Sequence, residues 1–232
     1  MKMLPPKSLA AAAALSVCLL LASCSLEGSY ERFFPVTELG VVQYTPDSAS
    51  WYIVNDASLK LYPKNAKEMQ ASPEGGARVL IVFNVLADES VDGYDYVVTL
   101  AYVLPVHVYD VARSAAATIA ADSFDVLRNV ERVWIGSRYL NVDYYHFYNA
   151  EQGEHEVSLM YDTAATLQGK DVTLFLRHYS KGDKGVKPRQ NIASFDLESL
   201  RTDVRTDSIN ITFEAECGDG PYRRSLSYKF KN

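Results

Sequence analysis

Residues 208–217 read SINITFEAEC, and this stretch carries the clearest secondary-structure signal in the chain. Apolar or small residues alternate strictly with polar ones. The apolar set is Ile209, Ile211, Phe213, Ala215 and Cys217. Because successive side chains of a strand point to opposite faces, the pattern predicts a strand with one buried face and one solvent-exposed face. The alternation also places Cys217 on the buried face, as a small apolar side chain rather than a nucleophile.

Six further segments of the C-terminal half have the composition of short strands, and turn residues separate most of them. They are 130–135, 139–148, 154–161, 172–178, 192–197 and 225–230. Seven strands so closely spaced predict an antiparallel β-sandwich over residues 122–232. Its core is expected to include Trp134, Leu140, Val142 and Phe213.

The N-terminal half is also rich in strand-forming residues. Strands are expected over 40–44, 51–54, 59–61, 78–86 and 94–103. Short strands in this number predict a small closed barrel over residues 37–111, and the fold class is therefore all-β, with a small barrel followed by a sandwich.

Two stretches refine this division. Residues 78–86 read RVLIVFNVL, a continuous apolar run that predicts a strand buried on both faces. The alanine-rich stretch 112–121 is expected to be a linker or a short helix at the boundary between the two domains.

The first 24 residues resemble an export signal. Lys2 and Lys7 precede an apolar run over 8–21, which is too short to span a bilayer. The run closes on LASC at 21–24, the pattern of a bacterial lipobox. We therefore predict a lipoprotein signal peptide over 1–23 and lipidation of Cys24, which anchors the protein in the membrane through its acyl chains.

The residues after the anchor predict its place in the cell envelope. Residues 24–36 are expected to be a tether between lipid and fold. Ser25, rather than an aspartate, follows the lipidated cysteine, which favours the outer membrane of a Gram-negative bacterium. The membrane face and the oligomeric state stay open.

Composition excludes several classes of protein. Of the 232 residues, 48% are hydrophobic and 22% are charged, which is ordinary for a globular chain and argues against disorder. Acidic residues outnumber basic ones by 29 to 23, so a nucleic-acid partner is not expected. Once Cys18 is removed with the signal and Cys24 is acylated, Cys217 is the last free thiol, and no intrachain disulfide can form.

The sequence carries no catalytic signature. It has no G-x-S-x-G or S-x-x-K motif, and its four histidines show no metal-ligand spacing. His155 and His178 share strand parity with apolar neighbours, so both are expected to be structural. We predict no catalytic residue, no cofactor, no metal and no enzymatic activity.

One aromatic cluster is a candidate binding surface. Residues 139–148 read YLNVDYYHFY, and parity puts Tyr139, Tyr145 and Phe147 on one face. Exposed aromatics hold sugar rings or partner proteins, whereas buried ones pack across strands. We expect packing to dominate and keep these three residues as the candidate binding set.

The chain resembles the NigD-like lipoproteins of Gram-negative anaerobes, over almost its whole length. Beside His155, the resemblance rests on GVV at 40–42, YIVND at 52–56, RVLIVFN at 78–84, WIG at 134–136, YLNV at 139–142, LRH at 176–178 and SFDL at 194–197. It implies an N-terminal OB-like domain and a C-terminal β-sandwich. It implies no reaction, and the family name carries a context of bacteriocin immunity.

Two functions follow as expectations. The first is a non-enzymatic, lipid-anchored envelope protein that binds another protein, with bacteriocin immunity as one form of that role. The alternative is a carbohydrate-binding surface lipoprotein that uses the aromatics around Tyr139–Tyr148.

Overall fold

The computed structural model describes residues 35–47, 50–69, 72–119, 124–149, 155–162, 170–202 and 206–230. The predicted signal peptide, Cys24 and the tether up to residue 34 lie outside the described residues. In the part of the chain that is described, no helix is both long and apolar enough to cross a membrane.

The N-terminal domain is a closed five-stranded barrel, as expected for an OB-like fold. Its strands follow the order β1-β2-β3-β5-β4, and β3 and β5 run parallel. A short 3-10 helix over Ala66–Glu68 follows β3. The strands are β1 (Val36–Tyr44), β2 (Trp51–Asn55), β3 (Lys60–Pro63), β4 (Arg78–Val85) and β5 (Tyr96–Pro105).

Strand β4 differs from the expected strand buried on both faces. Val79, Ile81 and Phe83 point into the barrel core, whereas Leu80 and Val82 are only half-buried. The outer face of a closed barrel is buried only where another layer covers it. The apolar run therefore reports one fully packed face and one partly covered face.

The C-terminal domain is a sandwich of two sheets, which confirms the all-β class with a barrel followed by a sandwich. One sheet has the order β14-β13-β11-β10-β7, and the other has the order β6-β12-β9-β8. A helix α1 (Ala116–Ile119) and a 3-10 helix (Leu197–Thr202) lie between strands. The strands are β6 (Val108–Asp110), β7 (Ala112–Ser114), β8 (Asn129–Gly136), β9 (Tyr139–Tyr148), β10 (Glu156–Asp162), β11 (Asp171–Tyr179), β12 (Lys187–Asp196), β13 (Ser208–Ala215) and β14 (Tyr222–Lys229).

The sheets are mixed rather than purely antiparallel. Among the described strands of the sandwich, three pairs run parallel, namely β6 with β12, β7 with β10 and β11 with β13. The β11–β13 pair has a simple cause, because the chain passes through β12 of the opposite sheet between these strands and so returns in its original direction.

The sandwich begins earlier than the predicted boundary. The expected linker 112–121 contains β7, which pairs with β10, and helix α1 with its buried Ile119. Val111, assigned to the barrel by composition, lies in the core of the sandwich. Alanine-rich composition did not reveal these contacts, because small side chains fit an edge strand as well as a linker.

Most of the expected sandwich core is observed. Leu140, Val142 and Phe213 are fully buried. Trp134 is not in the core, because its neighbours Val133 and Ile135 on β8 take the core-facing positions. The indole therefore lies on the opposite face of the sheet.

Candidate functional site

Three histidines meet at one end of the sandwich. His146 lies on β9 of the four-stranded sheet, whereas His155 precedes β10 and His178 lies near the end of β11, both in the five-stranded sheet. The parity expected for His155 and His178 is observed, since they align with buried neighbours on their strands. His146 and His178 are each only 3% exposed, so the cluster lies between the sheets.

One ring nitrogen of each histidine approaches a common centre. His155 Nδ1 lies 2.9 Å from His146 Nδ1 and 2.9 Å from His178 Nε2. His146 Nδ1 and His178 Nε2 are 3.3 Å apart. Three imidazole nitrogens this close together are a donor set that can hold a transition-metal ion.

Two of the nitrogens that face away from the centre have polar partners. His155 Nε2 lies 3.0 Å from Asp183 Oδ2, which also accepts a 2.7 Å hydrogen bond from the backbone N–H of Asn149. His146 Nε2 lies 3.3 Å from the side-chain amide of Asn191. A carboxylate on the far nitrogen of a histidine fixes the tautomer and orientation of the ring.

The electrostatics keep the centre in its metal-binding form. Burial, aided by the neighbouring histidines, lowers the pKa of His146 from 6.5 to about 4. Burial and His155 lower the pKa of His178 to about 4 in the same way. Both rings are therefore neutral near pH 7, and neutral imidazole is the form that binds metal. A backbone hydrogen bond lowers the pKa of Asp183, which is a carboxylate at that pH.

This cluster could not be found from spacing along the chain. His146 and His178 lie on strands of opposite sheets and His155 directly precedes a strand, so their sequence separations say nothing about their distance. The available signal was parity, because His146 occupies a core-facing position of its strand just as His155 and His178 do. The expectation that the histidines are structural and that no metal binds stays a prediction.

A second polar cluster joins the barrel to the sandwich. Arg78 of β4 is 2% exposed and pairs with Asp56, with Nη1–Oδ1 at 2.6 Å and Nη2–Oδ2 at 2.8 Å. Nη2 also donates to Asn141 Oδ1 at 3.1 Å, and Nε donates to Ser194 Oγ at 3.4 Å. Asn141 lies on β9 and Ser194 on β12, so one barrel arginine is bonded to two strands of the sandwich.

A cleft of about 660 Å³ lies between the two domains. The barrel supplies apolar side chains to its lining, among them Leu80 and Leu104. The sandwich supplies Trp134, Asp143 and Gln190, and Gln190 Nε2 donates to the two carboxylate oxygens of Asp143 at 2.8 and 3.0 Å. The cleft thus combines an apolar part with fixed polar groups, as binding sites do.

The three predicted aromatic candidates do not form one exposed patch. Tyr139 is buried with the guanidinium of Arg78 4.6 Å from its ring centroid. Tyr145 is half-buried, and only Phe147 is largely exposed, at 46%. Parity placed them correctly on one face of β9, but the barrel covers the Tyr139 end of that face.

Comparison with known proteins gives a family match for the sandwich. The NigD-like C-terminal beta sandwich domain matches residues 111–224, and no curated protein matches the sequence. The start of this match agrees with the observed position of Val111 in the sandwich core.

Solved structures share the whole fold. A NigD-like immunity protein from Bacteroides caccae is 18% identical, with a TM-score of 0.64, covering 86% of this chain and 100% of that chain. A protein of unknown function from Bacteroides vulgatus is 16% identical, with a TM-score of 0.68, covering 86% of this chain and 92% of that chain.

A protein provisionally named a lipoprotein from Bacteroides fragilis is 11% identical, with a TM-score of 0.57, covering 86% of this chain and 99% of that chain. At these identities the likenesses show a common fold of barrel and sandwich. Together with the domain match, they confirm the resemblance found in the sequence: the chain carries a NigD-like C-terminal beta sandwich domain over residues 111–224.

Proposed function

We propose that this chain is a non-enzymatic, lipid-anchored accessory protein of the cell envelope that binds a segment of a partner protein in the cleft between its two domains. The observation that carries the proposal is the composition of the cleft. Both domains line this cleft of about 660 Å³, and its lining combines apolar side chains such as Leu104 and Trp134 with polar groups such as Asp143 and Gln190. A space of this size accommodates a loop or a short extended segment.

The anchor part of the proposal rests on the N-terminal sequence. The LASC stretch at 21–24 has the form of a lipobox, and the short apolar run before it suits an export signal. The structural neighbour from Bacteroides fragilis carries a lipoprotein name, which supports the same placement. The outer membrane is the expected location, because Ser25 follows the cysteine.

A protein partner is favoured over a glycan by the state of the aromatic rings. A sugar stacks on an open aromatic face, but the guanidinium of Arg132 lies 4.0 Å from the centroid of Trp134. Tyr139 is buried beneath Arg78, which leaves Phe147 as the exposed member of the predicted aromatic set. A peptide can bind in the cleft without displacing these arginines, through apolar contact with Leu104 and hydrogen bonds to Asp143 and Gln190.

A non-enzymatic role is supported by the chemistry of the one free thiol in the described residues. Burial raises the pKa of Cys217, and nearby acidic groups act in the same direction. The thiol is therefore protonated at neutral pH and a poor nucleophile. The structural neighbour named an immunity protein supports a bacteriocin-type protein as the partner.

The test is site-specific photo-crosslinking in the native envelope. A photoreactive residue at Trp134 is compared with one at Tyr179, which is 45% exposed and does not line the cleft. We expect a discrete protein adduct from position 134, absent from position 179 and reduced at least tenfold by Asp143→Ala. If the partner is a bacteriocin, deleting the gene sensitises cells to it.

Glycan binding is the outcome that contradicts the proposal. Saturable binding of an oligosaccharide that is lost in Phe147→Ala, with no adduct from position 134, would favour the carbohydrate-binding alternative. Equal adducts from positions 134 and 179 would show that the cleft has no special role.

A further inference from the structure

The three central nitrogens of the histidine cluster cannot satisfy one another by hydrogen bonds. A neutral ring nitrogen either carries a proton or offers a lone pair. Among three atoms with two possible states, at least two share the same state, so at least one of the three contacts sets donor against donor or acceptor against acceptor. All three contacts, of 2.9, 2.9 and 3.3 Å, are nevertheless within hydrogen-bond distance. A cation at the centre removes this conflict, because all three lone pairs can then point to it.

We propose that His146 Nδ1, His155 Nδ1 and His178 Nε2 bind one divalent transition-metal ion, with zinc as the ion that the donor set fits best. Zinc takes neutral imidazole ligands in tetrahedral geometry at about 2.0–2.1 Å. Carboxylate oxygens would favour magnesium or calcium, but all three converging atoms here are nitrogens.

The triangle of nitrogens has the right size for this ion. Its sides of 2.9, 2.9 and 3.3 Å give a circumscribed radius of about 1.8 Å, so a point about 2.05 Å from all three nitrogens lies about 1 Å above their plane. An ideal tetrahedral zinc site has ligand nitrogens about 3.3 Å apart. Three ligands leave the fourth position to a water molecule or another small donor.

The groups that contact the outer ring nitrogens of His155 and His146 also fit a metal site. Asp183 accepts from His155 Nε2 at 3.0 Å, an arrangement that leaves the Nδ1 lone pair free for the centre. His146 Nε2 faces the amide of Asn191 at 3.3 Å, and rotating that amide by half a turn presents its oxygen to the ring N–H. The Asp183 carboxylate also offsets part of the charge that the ion adds to a buried site.

The site ties the two sheets of the sandwich together. His146 lies on β9 of the four-stranded sheet. His155 directly precedes β10 and His178 lies near the end of β11, and both of these strands belong to the five-stranded sheet. An ion bound by all three histidines cross-links the two sheets of the sandwich, in a domain whose one described cysteine forms no disulfide. Binding of the ion therefore stabilises the fold, because the unfolded chain does not hold the three ligands together.

The experiment uses the exported full-length protein, purified through a tag that contains no polyhistidine. Metal content is measured by mass spectrometry, and zinc is then titrated into the chelator-treated protein by calorimetry. We expect one zinc per chain, and visible d–d absorption bands of a four-coordinate ion when cobalt replaces zinc. His178→Gln should lower zinc affinity at least 100-fold, whereas the matched control His107→Gln, an exposed histidine outside the cluster, should leave it unchanged.

A second variant tests the metal site without removing a ligand, in case His178→Gln does not fold. Asp183→Asn keeps the shape of the side chain and all three ligands, and it should weaken zinc binding by about 10–100-fold, as loss of a carboxylate behind a ligand does. Less than 0.1 zinc per chain with no cobalt bands in the wild-type protein would overturn the proposal. Equal zinc affinity in the wild type and in a folded His178→Gln protein would also overturn it.

Discussion

Arg78 of the barrel donates a hydrogen bond from Nη2 to Oδ1 of Asn141 in the sandwich, across 3.1 Å. The same guanidinium is paired with Asp56, so the charge that holds the domains together is neutralised within the barrel. Ser194 Oγ donates to Asn141 Oδ1 at 2.7 Å, which fixes the amide that receives Arg78. At this point of the domain interface, a buried ion pair of the barrel is therefore bonded to an amide of the sandwich whose orientation is fixed.

Replacing Arg78 with methionine should destabilise the protein by about 3–5 kcal/mol, because the carboxylate of Asp56 is left without its partner in a largely buried site. The free energy of unfolding is measured by urea denaturation. The matched control is Lys64→Met, which removes a surface ion pair with Glu89 whose side chains are 56% and 41% exposed. That change should cost less than about 1 kcal/mol. Equal effects of the two substitutions would mean that the buried pair does not hold the interface.

Gly136→Ala should also destabilise the interface strongly. A Cβ at this position would overlap the carboxylate of Asp56, which is held by Arg78 and cannot move freely. We expect a loss of about 1–3 kcal/mol, the usual scale for overpacking a well-packed site. Gly218→Ala is the control, because its Cβ would find its nearest neighbour at 3.6 Å. A Gly136→Ala protein that melts like the wild type would show that the domains separate easily.

Strand parity allowed much of the fold to be predicted, because it depends on local alternation. It placed Leu140, Val142 and Phe213 in the core and His155 and His178 on core-facing positions. These positions follow from which residues are apolar, and that information lies within each strand.

Contacts between strands could not be predicted in the same way. The pairing of Arg78 with Asp56 and Asn141 depends on the packing of the barrel against the sandwich, and a buried arginine reads in sequence as an ordinary strand start. The convergence of His146 with His155 depends equally on which sheets face each other.

The lipid anchor is tested by Cys24→Ser. The thioether-linked lipid requires the cysteine thiol, so the variant should leave the membrane fraction and become extractable by a carbonate wash. Fractionation of cells followed by immunoblotting measures this. Cys217→Ser, which leaves the lipobox intact, should stay fully in the membrane fraction. Retention of the Cys24→Ser protein in the washed membranes would rule out lipid anchoring at this residue.

Acidification should destabilise the chelated, metal-free protein through its buried histidines. His146 and His178 have pKa values lowered to about 4 in the folded state, whereas an unfolded histidine titrates near 6.5. Between these values the unfolded state binds more protons, so stability falls as the pH falls from about 6.5 and levels off below about 4.

The loss by about pH 4 should be on the order of 3 kcal/mol for each histidine, less where protonation of one ring hinders the other. Urea denaturation over this range, compared between the wild type and a His146→Gln/His178→Gln protein, measures it. The double variant should show a flatter dependence on pH, and His107→Gln should behave like the wild type. Parallel curves for all three proteins would contradict the prediction.

The domain division is tested by two fragments that differ in where they begin. The sequence placed the start of the sandwich at residue 122, but β6 pairs with β12, β7 pairs with β10, and Val111 packs in the sandwich core. A fragment of residues 106–232 should therefore be soluble and melt cooperatively, because its hydrophobic core is complete. A fragment of residues 122–232 lacks two edge strands and a buried valine, and should be at least about 2 kcal/mol less stable. Thermal melting and the dispersion of amide signals compare the two. Equal stability of the two fragments would place the start of the sandwich at residue 122. Two molten fragments would show that the sandwich needs the barrel to fold.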